Sequence, residues 1–146
     1  MFKNILIATD GSEIAGRAVD HAVALAKSVN AKLTAVTVSE PFEAVAFTDT
    51  LGVINPSDYK KKCDAHAEKI LDDVIARALA ADVSCEPVHK DSHWPYAGII
   101  EAAEKSNADL IVIGSHGRRG LEGLLIGSQA VKLLTHTKIP TLVVRQ

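Results

Sequence analysis

The stretch from Asp109 to Ser128 reads DLIVIGSHGRRGLEGLLIGS. Its opening, Leu110-Ile111-Val112-Ile113, is apolar without alternation, as a strand covered on both faces should be. The remainder is glycine-rich: five of the chain's nine glycines lie between Gly114 and Gly127, and Gly127-Ser128-Gln129 opens the next helix. Glycines let a backbone approach a ligand closely, and a helix N-terminus with a capping serine adds partial positive charge. A glycine after a strand can also be a plain turn, and Gly-Ser before a helix a plain cap. Arg118 and Arg119 on the same loop pair well with phosphate, and they tip the reading toward a phosphate cradle. The common cradles are absent: there is no GxxxxGK[ST], and no GxGxxG follows the first strand. The spacing here is Gly114-x2-Gly117-x9-Gly127-Ser128.

Four more apolar runs flank this one: Ile5 to Ala8, Leu33 to Val38, Val83 to Val88 and Leu142 to Val144. The first and last are also continuous, which favours a central parallel sheet. Pro87 interrupts the third, and a proline cannot donate to a ladder, so that strand is expected at a sheet edge. Helical patterns separate the runs. Ile14, Ala18, Val19, Ala22, Val23 and Ala26 share one face of a helix that Ser12 caps. A second helix is expected from about Ser57, after Asn55-Pro56, with Tyr59, Cys63, Ile70, Leu71, Val74 and Ala78 inward. A third starts near Pro95 and carries Ile99, Ile100 and Ala103 inward. A fourth, from Gly127-Ser128, carries Val131 and Leu134 and ends by Lys138-Ile139-Pro140. Ser39 to Pro56 has no clear period and reads as a long loop with at most a short helical turn. The alternation of strands and helices predicts an α/β sandwich, a single domain over residues 1–146.

The bulk properties agree. The chain has 146 residues, 47% of them apolar and 23% charged, with a formal net charge of −2. That balance argues against a general nucleic-acid or anionic-membrane binder. The first apolar run is too short for a signal-peptide core or a membrane span, so a cytoplasmic location is expected. Cys63 and Cys85 lack CxxC spacing and read as reduced, small, buried residues.

In open doubly wound sheets, ligands bind outside the carboxyl ends of the strands, where strand order reverses. Two such ends carry chemistry. Ala8-Thr9-Asp10-Gly11-Ser12 gathers a carboxylate, two hydroxyls and a helix N-terminus; Gly114 to Ser128 is the cradle.

At these residues the sequence resembles the universal stress protein family, in particular its ATP-binding branch, whose signature G-x2-G-x9-G-[ST] is matched from Gly114 to Ser128. ILIATDGS from Ile5 to Ser12, DLIVIGS from Asp109 to Ser115 and IPTLVV from Ile139 to Val144 are similar to the family's first, fourth and last strands. The resemblance spans the whole chain. It implies a Rossmann-like, adenine nucleotide alpha hydrolase-like fold: a three-layer sandwich around a five-stranded parallel sheet in the order 3-2-1-4-5. It further implies that Asp10 hydrogen-bonds a ribose, with Ala8 and Thr9 lining the nucleotide and Val38 meeting the adenine through its backbone. Ile113 and Gly114 would lie against the nucleoside, Gly117 would admit the phosphates, and Gly127, Ser128 and Gln129 would bind them. The ligand implied is ATP or AMP, with Mg2+ accompanying ATP, and the assembly a homodimer through Thr141 to Val144. Ala8 stands where many relatives have proline or valine, and Gln129 where a small apolar residue is frequent; neither removes a phosphate-binding group.

Other residues invite readings that their context does not complete. His89 and His93 have a helical metal spacing but span a strand end and a turn, with no further ligands in pattern. No GxSxG turn supports a Ser-His-Asp triad. Whether Trp94 packs in the core or borders the site is open. His116 either donates to a phosphate or closes its own loop. Asp10 and His116 at one phosphate site also leave open a slow ATPase or adenylate hydrolase, although no dedicated base for water is visible. A flavin or electron-transfer subunit on a related fold is a third alternative. Binding is better supported than turnover.

Overall fold

The computed structural model describes residues 1–46, 55–116 and 126–145. The elements run β1 (Asn4–Ala8), α1 (Glu13–Val29), β2 (Lys32–Ser39), α2 (Phe42–Val45), α3 (Pro56–Ala80), β3 (Cys85–Asp91), α4 (Pro95–Lys105), β4 (Leu110–Gly114), α5 (Ser128–His136) and β5 (Thr141–Val144). The strands form one parallel sheet in the order β3-β2-β1-β4-β5. The fold class is as the sequence predicts, and the strand order is the one the family resemblance implies.

The middle of the sheet is buried on both faces. Ile5 and Ile7 pack with α1 and α3 residues such as Val19 and Val74, whereas Leu6 and Ala8 pack with Ile99 and Ala103 of α4 and Leu133 of α5. Successive side chains of a strand point to opposite faces, so the unbroken apolar run of β1 supplies two cores at once. Each fully buried Leu or Ile there contributes about 1.5–3 kcal/mol. Asp109 aligns the neighbouring strands: its carboxylate accepts the backbone amides of Lys3 at 2.8 Å and Asn4 at 3.1 Å. Pro87 lies on the edge strand β3, opposite Ala35.

Caps set the helix limits. Ser12 Oγ accepts the amide of Ala15 at 3.3 Å to start α1, and Asn30, in the left-handed region at φ 55°, closes it. Asn55 Oδ1 accepts the amide of Asp58 at 2.9 Å ahead of Pro56, so α3 begins one residue before the expected start.

Three expectations are corrected. The third strand begins at Cys85 rather than Val83, because the Val83 amide donates to Ala78 O at 2.9 Å and belongs to the closing turn of α3. On α5 the buried residues are Ala130 and Leu133, while Val131 and Leu134 are 48% and 43% exposed. On α3, Ala67 joins Leu71, Val74 and Ala78 in the core, and Tyr59, Cys63 and Ile70 are only half-buried. Cys85 is likewise half-buried and, like Cys63, a free thiol. Burial raises its thiol pKa, partly offset by a backbone hydrogen bond with Ala35. The Ser39–Pro56 stretch contains α2, one short helical turn, and its residues 47–54 lie outside the described residues. No described helix is long and apolar enough to cross a membrane.

Candidate functional site

The strand order reverses between β1 and β4. From β1 the chain passes through α1 to β2 on one side, and β4 pairs along the other side, with Ala8 opposite Ile113. Asp10 therefore leaves the sheet beside Gly114 and His116, at the crevice where an open α/β sheet takes its ligands.

The β1 end is a tightly bonded turn. Thr9 is buried, its amide donating to Val36 O at 3.0 Å and its Oγ1 accepting the Gly11 amide at 3.2 Å. Asp10 Oδ1 accepts the Ser12 amide at 2.9 Å, which holds the carboxylate over the first turn of α1. Gly11 sits at φ 78°, a conformation that side chains other than glycine's rarely adopt.

The β4 end is equally constrained. A Cβ on Gly114 would stand 3.0 Å from Ile14 Cγ2 and 3.3 Å from the Ile14 carbonyl carbon, so the absent side chain is what lets α1 lie against this strand. Ser115 is 2% exposed and its amide donates to Val144 O at 2.8 Å. Its Oγ lies 3.1 Å from His116 Nδ1. The other ring nitrogen, His116 Nε2, is buried without a hydrogen-bond partner among the described residues. A buried polar atom left unpaired costs about 1–3 kcal/mol, so an orphan at a strand end marks a place where a ligand atom would be welcome.

Helix α5 starts at the same spot. Its N-cap is Gly127, which makes no side-chain cap bond, and Ser128 is the first helical residue. The expected capping serine is thus replaced by a glycine, which has no side chain to offer the first-turn amides. Gln129 turns away: its Oε1 accepts the amide of Tyr96 at 3.1 Å and caps α4 instead. Val38 is half-buried and packs into the α4-side core, with both methyls about 3.0–3.1 Å from where a Gly98 Cβ would be.

Ala8, Thr9, Asp10, Ile113, Gly114, His116, Gly127 and Ser128 thus gather at the β1/β4 reversal, and Val38 is the penultimate residue of the next strand over. Gly117 and Arg118, with the rest of residues 117–125, lie outside the described residues. Ser115 and the Gln129–Tyr96 bond were not anticipated from sequence; the buried serine between Gly114 and His116 was the available signal. A cavity of about 660 Å3 between α1 and α3 touches this site only through Thr9, Gly11 and Ser12. His93 is exposed and makes no pair with His89, and no cluster of three or more metal-ligating side chains exists among the described residues. Trp94 is 56% exposed, with Lys132 Nζ 4.9 Å over its ring, so it does not belong to the core.

A parallel doubly wound sheet of this order, with its polar groups at the reversal point, defines a Rossmann-like α/β protein. The model of the universal stress protein family matches residues 1–145, and the chain belongs to that family. Universal stress protein YxiE of Bacillus subtilis is 31% identical over 151 residues, covering 99% of this chain and all of the relative. A universal stress family protein from Burkholderia pseudomallei superimposes with a TM-score of 0.78 at 31% identity, covering 97% of this chain and 95% of that one. A universal stress protein solved in complex with cAMP superimposes at 0.72 with 28% identity, covering 98% and 97%.

Proposed function

We propose that the chain is a stress-response or regulatory protein of the cytoplasm that binds an adenine nucleotide, ATP or AMP, across the β1/β4 reversal. The observation that carries this reading is the buried Nε2 of His116, which has no hydrogen-bond partner among the described residues and lies beside the N-terminus of α5, whose glycine N-cap makes no side-chain cap bond. A phosphate oxygen there satisfies the imidazole and meets the partial positive charge of α5. The complex of a relative with cAMP supports an adenine ligand.

In this reading Asp10 accepts a ribose hydroxyl, and its carboxylate is already aimed by the Ser12 amide. Ala8, Thr9, Ile113 and Gly114 line the nucleoside, and the Val38 backbone meets the adenine edge. Gly117, Arg118, Gly127, Ser128 and the Gln129 backbone surround the phosphates, and Mg2+ accompanies them when the ligand is ATP. The edge strand β5, with Leu142 39% exposed, pairs with its copy in a homodimer.

Denaturing extraction of freshly purified protein, followed by mass spectrometry of the released small molecules, tests the reading. Recovery of ATP or AMP supports it. An empty site that also fails to take up added ATP, ADP or AMP overturns it. Steady phosphate release in the presence of Mg2+, abolished by His116→Ala with the fold intact, would convert the binding site into that of a slow ATPase.

A further inference from the structure

On the other face of the sheet, away from the α4-side core that holds Val38, three side chains from three elements lie close together. Ser39 Oγ at the end of β2 lies 2.7 Å from His89 Nε2 in β3. His89 Nδ1 lies 3.5 Å from Asp64 Oδ1 on α3, the helix packed over both strands. The parallel register sets Thr37 beside His89 and Ser39 beside Asp91, so all four point toward α3. A carboxylate at Nδ1 favours the tautomer with its proton there, which leaves the Nε2 lone pair to accept the serine hydroxyl. The side chain of His89 is 23% exposed and that of Asp64 49%, so the group is reachable from solvent.

The charged groups around it are defined. Lys60 Nζ lies 3.3 Å from the same Asp64 oxygen, and Asp91 Oδ1 lies 3.9 Å from His89 Nε2. Tyr59 donates to Glu40 O at 2.6 Å, clamping the start of α3 to the end of β2, and Cys63 faces the Tyr59 hydroxyl. Serine, imidazole and carboxylate in this order are the elements of nucleophile activation: the imidazole takes the hydroxyl proton and the carboxylate holds the imidazole in the required tautomer.

We propose that Ser39 is an activated nucleophile that accepts the acyl group of an activated carboxylic ester, with His89 as its base and Asp64 as a positioning residue. In the first step the Ser39 Oγ to acyl carbon bond forms and the ester carbon to alkoxy oxygen bond breaks. The Oγ proton passes to His89 Nε2 and from there to the departing oxygen. Water then attacks the acyl carbon, its proton moves to Nε2 and on to Ser39 Oγ, and the carboxylic acid leaves. Ester and water become acid and alcohol, with no other reactant. The proposal includes no oxyanion hole, a device worth about 10²–10³-fold in rate, so it is confined to esters with a good leaving group.

The test is to treat the full chain with p-nitrophenyl acetate and to locate the acetyl group by peptide mass spectrometry, in the native state and in urea. The proposal expects a Ser39 acetyl ester in the native chain and none there in the unfolded chain. Nitrophenolate release should fall at least tenfold in Ser39→Ala and His89→Gln, and Asp64→Glu should retain more activity than Asp64→Asn. Native acetylation confined to lysines or tyrosines, or equal Ser39 labelling in urea, overturns the proposal without any variant having to fold. Nucleotide retention is read in parallel, so failure here stays separate from failure of the nucleotide reading.

Discussion

Gly127 donates its backbone amide to the carbonyl of Ser115 at 2.6 Å, so the segment that leaves β4 returns to α5 at the point where it departed. The glycine allows this closure by its size: its φ of −71° is open to any residue, but a Cβ would stand 3.0 Å from Ser115 O and 3.4 Å from His116 Cα. Neither is the movable end of a side chain. Gly127→Ala should therefore destabilise the fold by about 1–3 kcal/mol, as overpacking does, and weaken nucleotide binding as the two loop ends separate. Urea unfolding and ligand titration on the same sample check both effects.

Ser12 caps α1 through the Ala15 amide, while its own amide is held by Asp10. Ser12→Ala should cost about 1 kcal/mol of stability, the usual loss for an N-cap, measurable as a lower urea midpoint. Ser12→Asp should recover most of that loss.

Tyr59 supplies a pH signature. Burial first, then a hydrogen bond with Cys63, raises its phenol above the ordinary value of 10.0. The folded chain thus holds this proton to higher pH than the unfolded chain does. Below pH 10.0 both states are protonated and stability is intact; above it the unfolded state ionises first and stability falls. Urea midpoints from about pH 8 to about pH 11 should show this fall, and Tyr59→Phe should flatten it. The variant should lose about 1 kcal/mol at neutral pH with the hydrogen bond to Glu40 O.

If β5 pairs with its copy, Leu142 lies at the seam, and Leu142→Lys should halve the mass seen by light scattering at micromolar concentration. A wild type that is already monomeric there would remove the dimer from the account.

The central strands and the two loop ends were legible because continuous apolar runs ending in Thr9-Asp10 and Gly114-Ser115 have few other readings. The α5 face was misread for a physical reason. Two stripes, 130/133 and 131/134, satisfy the same period, and the larger apolar residues look like the inward pair, yet Ala130 is small enough to let the helix sit close. Val83 misled in another way, since it enters the core from the turn that closes α3 and not as part of a strand. The contact among Ser39, Asp64 and His89 left no local trace at all, because sheet register and helix packing bring together residues far apart in the chain.

The most direct test of the central claim is calorimetric titration of ATP and AMP into nucleotide-free wild type and Asp10→Asn. Asparagine keeps an oxygen for the Ser12 amide, so the turn survives while the proposed hydrogen bond from a ribose hydroxyl to the carboxylate is weakened. Such a bond to a charged group is worth about 1.5–3 kcal/mol, which predicts binding to the wild type that weakens by roughly 10- to 100-fold in the variant. Equal affinity in the two proteins, or no binding to the wild type, would contradict the account.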